Sequence, residues 1–281
     1  MSSIQTKVWL ITGCSRGLGQ ALATAALAAG DHLVATARDA AALAPLVAAA
    51  PERVLALALD VNEEGDVADA IGQTLARFGR IDVLVNNAGY GLAGAVEEIS
   101  DAEARAQFET NLFGTLNLIR AVLPTMRAQR GGHILQISSV AGFVASPGLG
   151  LYNASKFALE GYSEALAQEV APFGIRVTII EPGPFRTDWA GSSLATPTRP
   201  IADYADSAHK TIATINGYSG KQPGDPLRAA AAMIAIVNTE HPPLRLALGE
   251  LALNRMRGKL ASVAAELNTW ESTTLATAYP S

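Results

Sequence analysis

Tyr152 and Lys156 are the residues of this sequence whose types and spacing point most directly to chemistry. Four positions separate them, so on a helix both side chains share one face, one turn apart. A fixed ammonium at that distance favours the ionised phenol and lowers its pKa from an ordinary value of about 10 toward neutrality. The pair could therefore exchange a proton with a substrate, although Tyr and Lys at this spacing also occur on ordinary amphipathic helix surfaces.

A glycine-rich turn precedes this pair in the chain. It follows an apolar run and opens a helical pattern, which is the setting of a phosphate-binding turn. Glycines there allow a tight turn and close approach of the backbone to a pyrophosphate, and the helix N-terminus adds N–H groups and partial positive charge. The turn predicts nucleotide binding, against the alternative of a glycine turn without a ligand. The predicted contacts are Gly13, Ser15, Arg16, Gly17, Leu18 and Gly19.

Short β-branched apolar runs alternate with longer helical patterns. The predicted strands are Val8–Thr12, His32–Ala37, Val54–Leu59, Val83–Asn86, His133–Ser138, Val177–Glu181 and Leu244–Leu248. The predicted helices are Leu18–Ala29, Asp39–Ala50, Glu63–Phe78, Ala102–Arg130, Tyr152–Phe173 and Pro226–Asn238. Apolar strands separated by helices indicate a parallel sheet covered on both faces. The right-handed crossover rule then favours an α/β fold, a Rossmann-type doubly wound sheet of about seven strands.

The chain has 281 residues, 49% of them hydrophobic and 17% charged, which is enough for a sizeable core. No repeat or linker divides it, so a single nucleotide-binding domain is expected over residues 1–281. One segment, at about 189–225, is rich in Pro, Gly, Ser and Thr and lacks a clean strand or a strong helix. We interpret it as a mobile substrate-binding flap with an apolar inner face; a solvent-exposed insertion is the alternative.

Charge and cysteine content argue against several function classes. A net charge of −5 without any run of Lys or Arg gives no reason to expect nucleic acid. No apolar segment reaches the ~18–20 residues of a membrane span, and the N-terminus Met1–Lys7 lacks a signal sequence. One cysteine, Cys14, excludes an intramolecular disulfide, and the scattered histidines predict no metal site. A cytoplasmic protein is expected.

The end of the second predicted strand bears on the choice of nucleotide. An NAD site needs an acidic residue there, ~20 residues past the glycine turn, whereas this chain has Arg38. A guanidinium can bind a 2′-phosphate in bidentate fashion, and Arg16 could add a second cation. Asp39 is expected to cap the next helix. The sequence therefore favours NADP(H) over NAD, unless both arginines are solvated surface cations.

Several stretches, taken in order, resemble the short-chain dehydrogenase/reductase family in its compact single-domain form. They are Thr12–Gly19, Asp60-Val61, Asn86–Gly89, Asn111, Ser138-Ser139, Tyr152–Lys156 and Pro182–Thr187. The resemblance runs from about Lys7 to Thr187 and resumes at Leu244–Gly249, as a seventh strand. It implies cofactor contacts beyond the glycine turn and Arg38, at Asp60, Val61, Asn87, Ala88, Gly89, Tyr152, Lys156, Pro182, Gly183 and Thr187.

The resemblance also implies catalytic roles. Tyr152 would be the general acid/base, and Lys156 would lower its pKa and bind the nicotinamide ribose. Ser139 would hold the substrate oxygen where negative charge develops, while strand alternation turns the neighbouring Ser138 to the other side. Asn111 would anchor a water that relays protons to the lysine.

A substrate pocket is expected around Phe143, Val144, Leu149 and Trp189, with Ser139 holding the reacting oxygen. This lining is apolar and offers no obvious cation for a carboxylate or phosphate. A lipophilic ketone or secondary alcohol fits it, and the chain is similar in this respect to hydroxysteroid- and retinol-dehydrogenase-like members.

The sequence thus predicts an NADP(H)-dependent oxidoreductase that interconverts a carbonyl and an alcohol. One alternative is a regulator on the same fold that senses NADP without turnover, but such proteins tend to lack the Tyr or the Lys. Another is an epimerase or dehydratase, whose separate sugar-binding domain has no room in this chain. In relatives the helices matching Ala102–Arg130 and Tyr152–Phe173 commonly pair, so a homodimer or homotetramer is expected.

Overall fold

The computed structural model describes residues 6–191, 193–197 and 199–279. Its strands are β1 Val8–Ile11, β2 His32–Ala37, β3 Val54–Ala58, β4 Val83–Asn86, β5 Gly91–Leu92, β6 Gly132–Ile137, β7 Ile175–Pro182, β8 Leu194–Ala195 and β9 Arg245–Leu248. Its helices are α1 Gly17–Ala28, α2 Ala44–Ala49, α3 Glu64–Phe78, α4 Asp101–Phe108, α5 Gly114–Gln129, α6 Gly150–Val170, α7 Lys210–Gly217, α8 Pro226–Val237 and α9 Glu250–Leu275. Most of the N-terminal stretch that was examined for a signal sequence, residues 1–5, lies outside the described residues.

The central sheet confirms the predicted doubly wound topology. Seven described strands pair in parallel in the order β3-β2-β1-β4-β6-β7-β9. Trp9 in β1 pairs with both Leu33 of β2 and Val83 of β4, so β1 lies at the centre. The order of strands reverses between β1 and β4, and in such sheets ligands bind in the crevice at the carboxyl ends of the strands beside that reversal.

Helices cover both faces of the sheet, as expected from strands that are apolar on both sides. On one face α1 and α8 pack through buried residues such as Leu22 and Met233. On the other face α3, α5 and α6 pack through residues such as Ile71, Leu118 and Leu166. Burial on both faces makes the sheet a rigid support for the loops at its carboxyl edge.

Three regions depart from the predicted elements. The long helix expected at Ala102–Arg130 is interrupted by a π-helical turn, Glu109–Phe113, between α4 and α5. The segment expected to lack regular structure contains α7, and its β8 pairs in parallel with β5. A final long helix, α9, follows β9 in a region for which no element was predicted.

No helix in the described part of the chain is both long enough and apolar enough to cross a bilayer. Within the same residues, no three His, Cys, Asp or Glu side chains are grouped so that they could hold a metal ion.

Candidate active site

A cleft of about 1070 Å³ opens at the carboxyl edge of the sheet. It is lined by most of the residues predicted from the sequence to bind cofactor or substrate. These are Gly13, Ser15, Arg16, Gly17, Leu18, Arg38, Asp60, Val61, Asn87, Ala88, Gly89, Ser139, Leu149, Tyr152, Lys156, Pro182, Gly183, Thr187 and Trp189. Gly19, Asn111 and Phe143 are absent from this lining.

The glycine turn is held in a shape that other residues would not allow. Gly13 and Gly17 have φ angles of +71° and +62°, in the region that favours glycine. A Cβ at Gly19 would lie 2.3 Å from the carbonyl oxygen of Gly13 and 2.4 Å from Asn87 Nδ2. Asn87 Nδ2 in turn donates to the carbonyl oxygens of Thr12 (2.8 Å) and Gly13 (3.1 Å). The absence of a side chain at Gly19 thus leaves room for the turn, although Gly19 itself does not line the cleft.

The shape of the turn suits a dinucleotide. Gly17 and Leu18 form the first turn of α1 and line the cleft, so the positive end of the helix and its N–H groups lie beside it. A Cβ at Gly17 would lie 3.6 Å from Thr187 Cβ, so Thr187 lies directly beside the turn. The turn could hold a pyrophosphate.

Arg38 is exposed at the edge of the cleft, directly after β2. Among the residues that the structure describes, it takes part in no salt bridge. The neighbouring carboxylate of Asp39 accepts a hydrogen bond from Ala41 N (2.9 Å) and caps the following 3₁₀ turn, as predicted. Of the two charged residues at this strand end, Asp39 is therefore used as a cap and Arg38 lies beside the cleft.

Tyr152, Ser139 and Trp189 come together on the far side of the cleft. Tyr152 is buried on α6 and forms hydrogen bonds with the side chains of Ser139 and Trp189. The rings of Tyr152 and Trp189 are 5.2 Å apart between centroids, at an angle of 50°. Lys156, one turn further along α6, donates from Nζ to the carbonyl oxygen of Ile137 (2.8 Å).

The pKa values of this pair differ from the expectation that Lys156 lowers that of the phenol. Burial raises the pKa of Tyr152 to about 12, although the hydrogen bonds from Ser139 and Trp189 work in the opposite direction. Burial also lowers the pKa of Lys156 to about 8, against the influence of Glu160. Desolvation disfavours the charged form of each residue. At neutral pH Tyr152 is therefore protonated in this structure.

Asn111 lies in the π-helical turn and is fully buried. Its Oδ1 accepts from Tyr90 N (3.1 Å), and its Nδ2 donates to Tyr90 O (3.0 Å) and to Ser155 Oγ (3.2 Å). A Cβ at Gly89 would lie 3.0 Å from Asn111 Oδ1 and 3.8 Å from Lys156 Nζ. Asn111 and Lys156 thus flank the same backbone position behind the cleft.

A buried ionic cluster lies beneath the active-site helix. Glu160, one turn beyond Lys156, accepts from Ser138 Oγ (2.6 Å) and forms an ion pair with Arg245 of β9. Arg245 Nη1 also contacts Glu181 Oε1 of β7 (2.5 Å). Burial, together with the neighbouring Glu160, raises the pKa of Glu181 to about 7. The sequence analysis missed this cluster; the signal available to it was an acidic residue placed one turn after the lysine.

Phe143 does not belong to the substrate pocket, which corrects the prediction. Its ring lies under the guanidinium of Arg245, 5.3 Å from the ring centroid, and this contact turns it toward the ionic cluster. Val144 contributes a backbone carbonyl that accepts from Arg255 (3.4 Å) and is likewise absent from the lining. Strand-end spacing could not distinguish a residue facing the cleft from one facing the cluster.

The 189–225 segment supplies much of the substrate wall. Its apolar inner face, as expected, packs Trp189, Leu194, Ile212, Ile215 and Tyr218 near Leu149. Further lining residues that the sequence analysis missed are Ser146, Phe185, Thr211, Thr214, Gln222, Leu251 and Arg255. The spacing of Thr211, Thr214, Ile215 and Tyr218 is that of one helix face, a signal that could have found α7. Arg255 also places a cation at the wall, where none was expected.

Glu98 fastens this segment to the body of the protein. Its carboxylate accepts from Ala95 N (2.7 Å), Ile201 N (2.6 Å) and His209 Nε2 (2.6 Å). Burial acts to raise the pKa of Glu98, but these hydrogen bonds together lower it below its ordinary value. Glu98 is buried because the segment folds over it, although an acidic residue at a helix start is more often solvated.

Known proteins with similar sequences are oxidoreductases. A family model described as short chain dehydrogenase matches residues 7–197. The chain is 43% identical to oxidoreductase BOA17 of Botryotinia fuckeliana, over 97% of this chain and 100% of that protein. It is 38% identical to a 3-ketodihydrosphingosine reductase of Bacteroides thetaiotaomicron (88% and 90%) and 38% identical to retinol dehydrogenase 8 of Homo sapiens (84% and 79%).

Solved structures agree on the fold and differ in cofactor. A short-chain dehydrogenase from Streptomyces avermitilis superposes with a TM-score of 0.92 at 46% identity, over 99% of this chain and 100% of that one. A short-chain dehydrogenase/reductase from Burkholderia phymatum in complex with NAD has a TM-score of 0.82 at 25% identity (95% and 97%). An alcohol dehydrogenase from Thermococcus sibiricus complexed with 5-hydroxy-NADP has a TM-score of 0.72 at 26% identity (87% and 96%).

Proposed function

Because the chain belongs to the short-chain dehydrogenase/reductase family and is an NAD(P)-dependent oxidoreductase that acts by hydride transfer, we propose that it interconverts the carbonyl and alcohol forms of a lipophilic small molecule with NADP(H). The observation that carries this proposal is the contact of Ser139 with Tyr152 in the cleft, with Lys156 one turn away. When bound, the nicotinamide supplies or accepts the hydride.

The remaining chemistry is proton transfer by residues of this chain. In reduction the Tyr152 hydroxyl donates its proton to the substrate oxygen, and Ser139 donates a hydrogen bond to the same oxygen as negative charge grows there. The raised pKa of Tyr152 keeps the phenol in the protonated form that this direction needs. Lys156 stabilises the phenolate that is left, and Asn111 holds the polar path by which a proton returns. In oxidation the same groups act in reverse.

Arg38 and Arg16 support the preference for NADP(H), because both line the cleft at the end where the adenosine ribose would bind. We expect Arg38→Ala to weaken NADPH binding by roughly 10- to 100-fold, the loss of a charge-assisted contact, and NADH binding far less. Arg228→Ala, at an exposed arginine on α8, is the matched control. Calorimetric titration of each variant with both nucleotides measures the effect, and equal losses for the two nucleotides would contradict the role of Arg38.

The substrate class is supported by the apolar wall that Trp189, Leu194, Ile215 and Tyr218 form beside Tyr152. Two relatives are named for lipids, retinol and 3-ketodihydrosphingosine. A long apolar chain or ring system would bury its surface against this wall while its carbonyl reaches Ser139 and Tyr152. Arg255, with Ser146, provides one polar position on the wall for a second substituent.

The decisive experiment follows NADPH oxidation with a panel that pairs steroid, retinoid and long-chain ketones with short polar ones. We expect turnover on the lipophilic members and a loss of roughly 10²- to 10⁴-fold in Tyr152→Phe. Tyr162→Phe is the matched control, because Tyr162 is largely buried on the same helix and bonds Thr115 and Gln136 rather than the cleft. Wild-type binding of NADPH without turnover of any member would favour the NADP-sensing regulator instead.

Other features remain predictions. They are the single domain over residues 1–281, the mobility of the 189–225 flap and the cytoplasmic location. A homo-oligomer formed through α5 and α6 is a proposal supported by two exposed rings, Phe113 beside α5 and Phe157 on α6.

A further inference from the structure

Among the residues that the structure describes, the contacts that anchor the C-terminal helix α9 lie at its start. It has 26 residues, so it is about 39 Å long. Of its described residues, Ala252 is the one that is buried. One turn later, Arg255 Nη2 donates a hydrogen bond to Ser146 Oγ (2.9 Å). Further along, Leu260, Leu267 and Trp270 are 58%, 64% and 61% exposed. Large apolar side chains in such a row mark a surface that another molecule covers.

These side chains follow a heptad repeat. Leu253, Leu260 and Leu267 recur every seven residues, and Met256, Val263 and Trp270 each follow three positions later. Two apolar positions in seven give the narrow seam of a two-helix coiled coil. A helix that lies on a membrane carries a broader apolar face with basic residues along its polar side. The repeat therefore favours a second helix with the same spacing, and α9 itself has that spacing.

The charges of α9 favour one orientation of such a pair. Its first half is basic, with Arg255, Arg257 and Lys259, and its second half is acidic, with Glu266 and Glu271. Counted from Leu253 as position a, Lys259 and Glu266 occupy g and Glu271 occupies e, the positions that flank the seam. Parallel helices would place Glu266 against the partner's Glu271, two like charges. Antiparallel helices place Lys259 against the partner's Glu266, and the two-fold axis repeats this pair. The like-charge contact in this arrangement, Glu271 with the partner's Glu250, lies at the ends of the helices.

We propose that α9 pairs in antiparallel orientation with α9 of a second copy of this chain. In the register set by the Lys259–Glu266 pair, Leu253 packs on the partner's Trp270, Met256 on the partner's Leu267 and Leu260 on the partner's Val263. Each layer occurs twice, so the contact is self-complementary and closed. The proposal does not depend on the proposed substrate or cofactor.

The seam lies on the side of α9 that faces away from the substrate cleft. Leu251 and Arg255, in the first turns of α9, line the cleft, and Leu253 lies about 200° around the helix from each of them. The dimer thus covers the apolar stripe on the side of α9 opposite the cleft.

The test measures the mass of the full-length protein by sedimentation equilibrium, with charge variants on α9. We expect Lys259→Glu and Glu266→Lys each to weaken association at least tenfold, because each sets like charges together twice, and the double variant to restore it. Lys221→Glu, the same change at an exposed lysine outside α9, is the matched control and should leave the mass unchanged.

Three results would overturn the proposal. The first is a mass that Leu260→Glu combined with Leu267→Glu does not reduce. The second is stronger association in Glu266→Lys alone, which a parallel pair predicts because the change relieves its Glu–Glu contact. The third is binding of wild type to vesicles of anionic lipid that is lost in Lys259→Glu while the mass stays constant; this result would assign α9 to a membrane surface.

Discussion

Lys156 should make the stability of this protein depend on pH in a defined way. Its ammonium is buried and has one hydrogen bond, to the carbonyl oxygen of Ile137. Burial lowers its pKa from 10.5 to about 8. This difference corresponds to about 3 kcal/mol by which the fold disfavours the charged lysine. Lys156→Met keeps much of the side-chain volume and removes the charge.

The direction follows from which state binds more protons. Between the two pKa values the unfolded chain keeps the lysine protonated while the folded chain loses the proton, so the free energy of unfolding rises with pH. Because of Lys156, the free energy of unfolding should rise by roughly 1 kcal/mol between about pH 7 and pH 9. Lys156→Met should lack that gain. At the lower pH it should be at least as stable as wild type, despite the lost bond to Ile137, and its turnover should fall sharply.

The measurement is denaturant unfolding of the cofactor-free protein at several pH values across that interval. Titrations elsewhere in the chain cancel when wild type is compared with variant at each pH. Lys221→Met, at an exposed lysine, serves as the control and should run parallel to wild type. Parallel curves for wild type and Lys156→Met would refute the argument, since they would mean that burial does not change the proton affinity of this lysine.

Two further predictions concern the supports of the site. Gly19→Ala should abolish dinucleotide binding in a titration, because the new Cβ would lie 2.3 Å from the carbonyl oxygen of Gly13; Gly72→Ala, with open space around it, should bind normally. Arg245→Met should lower the free energy of unfolding by roughly 3–5 kcal/mol, because it leaves the buried carboxylates of Glu160 and Glu181 without their ion-pair partner. Adding Glu181→Gln should recover part of that loss, and a loss below about 1 kcal/mol in Arg245→Met would contradict the importance of the cluster.

The parts of this fold that the sequence predicts are those where local pattern and tertiary structure agree. Each β-branched run became a strand, and the central strands were readable because most of their side chains are buried and apolar. The glycine turn and the Tyr152–Lys156 pair were readable because their function needs fixed residue types at short spacing. Their positions follow from local geometry and the order of the elements.

The features that escaped prediction depend on contacts between residues far apart in the chain. Arg245 meets Glu160 and Glu181 only after three elements have packed together, and it draws Phe143 away from the pocket. The pKa of Lys156 moves down because of the depth at which α6 is buried, which spacing alone does not report. The helix α7 was hidden because its pocket-facing positions include two threonines, which weaken an apolar pattern.

The π-helical turn at Glu109–Phe113 shifts the helical phase between α4 and α5. A helical wheel drawn continuously through α4 and α5 therefore misplaces the side chains of one helix. The error is about 100°, because the π-helical turn contains one extra residue. Deleting one residue of the turn would regularise the backbone and yet rotate Asn111 away from Tyr90 by that angle. Insertions and deletions are tolerated mainly in loops, and in this helix they are a more severe test than substitutions.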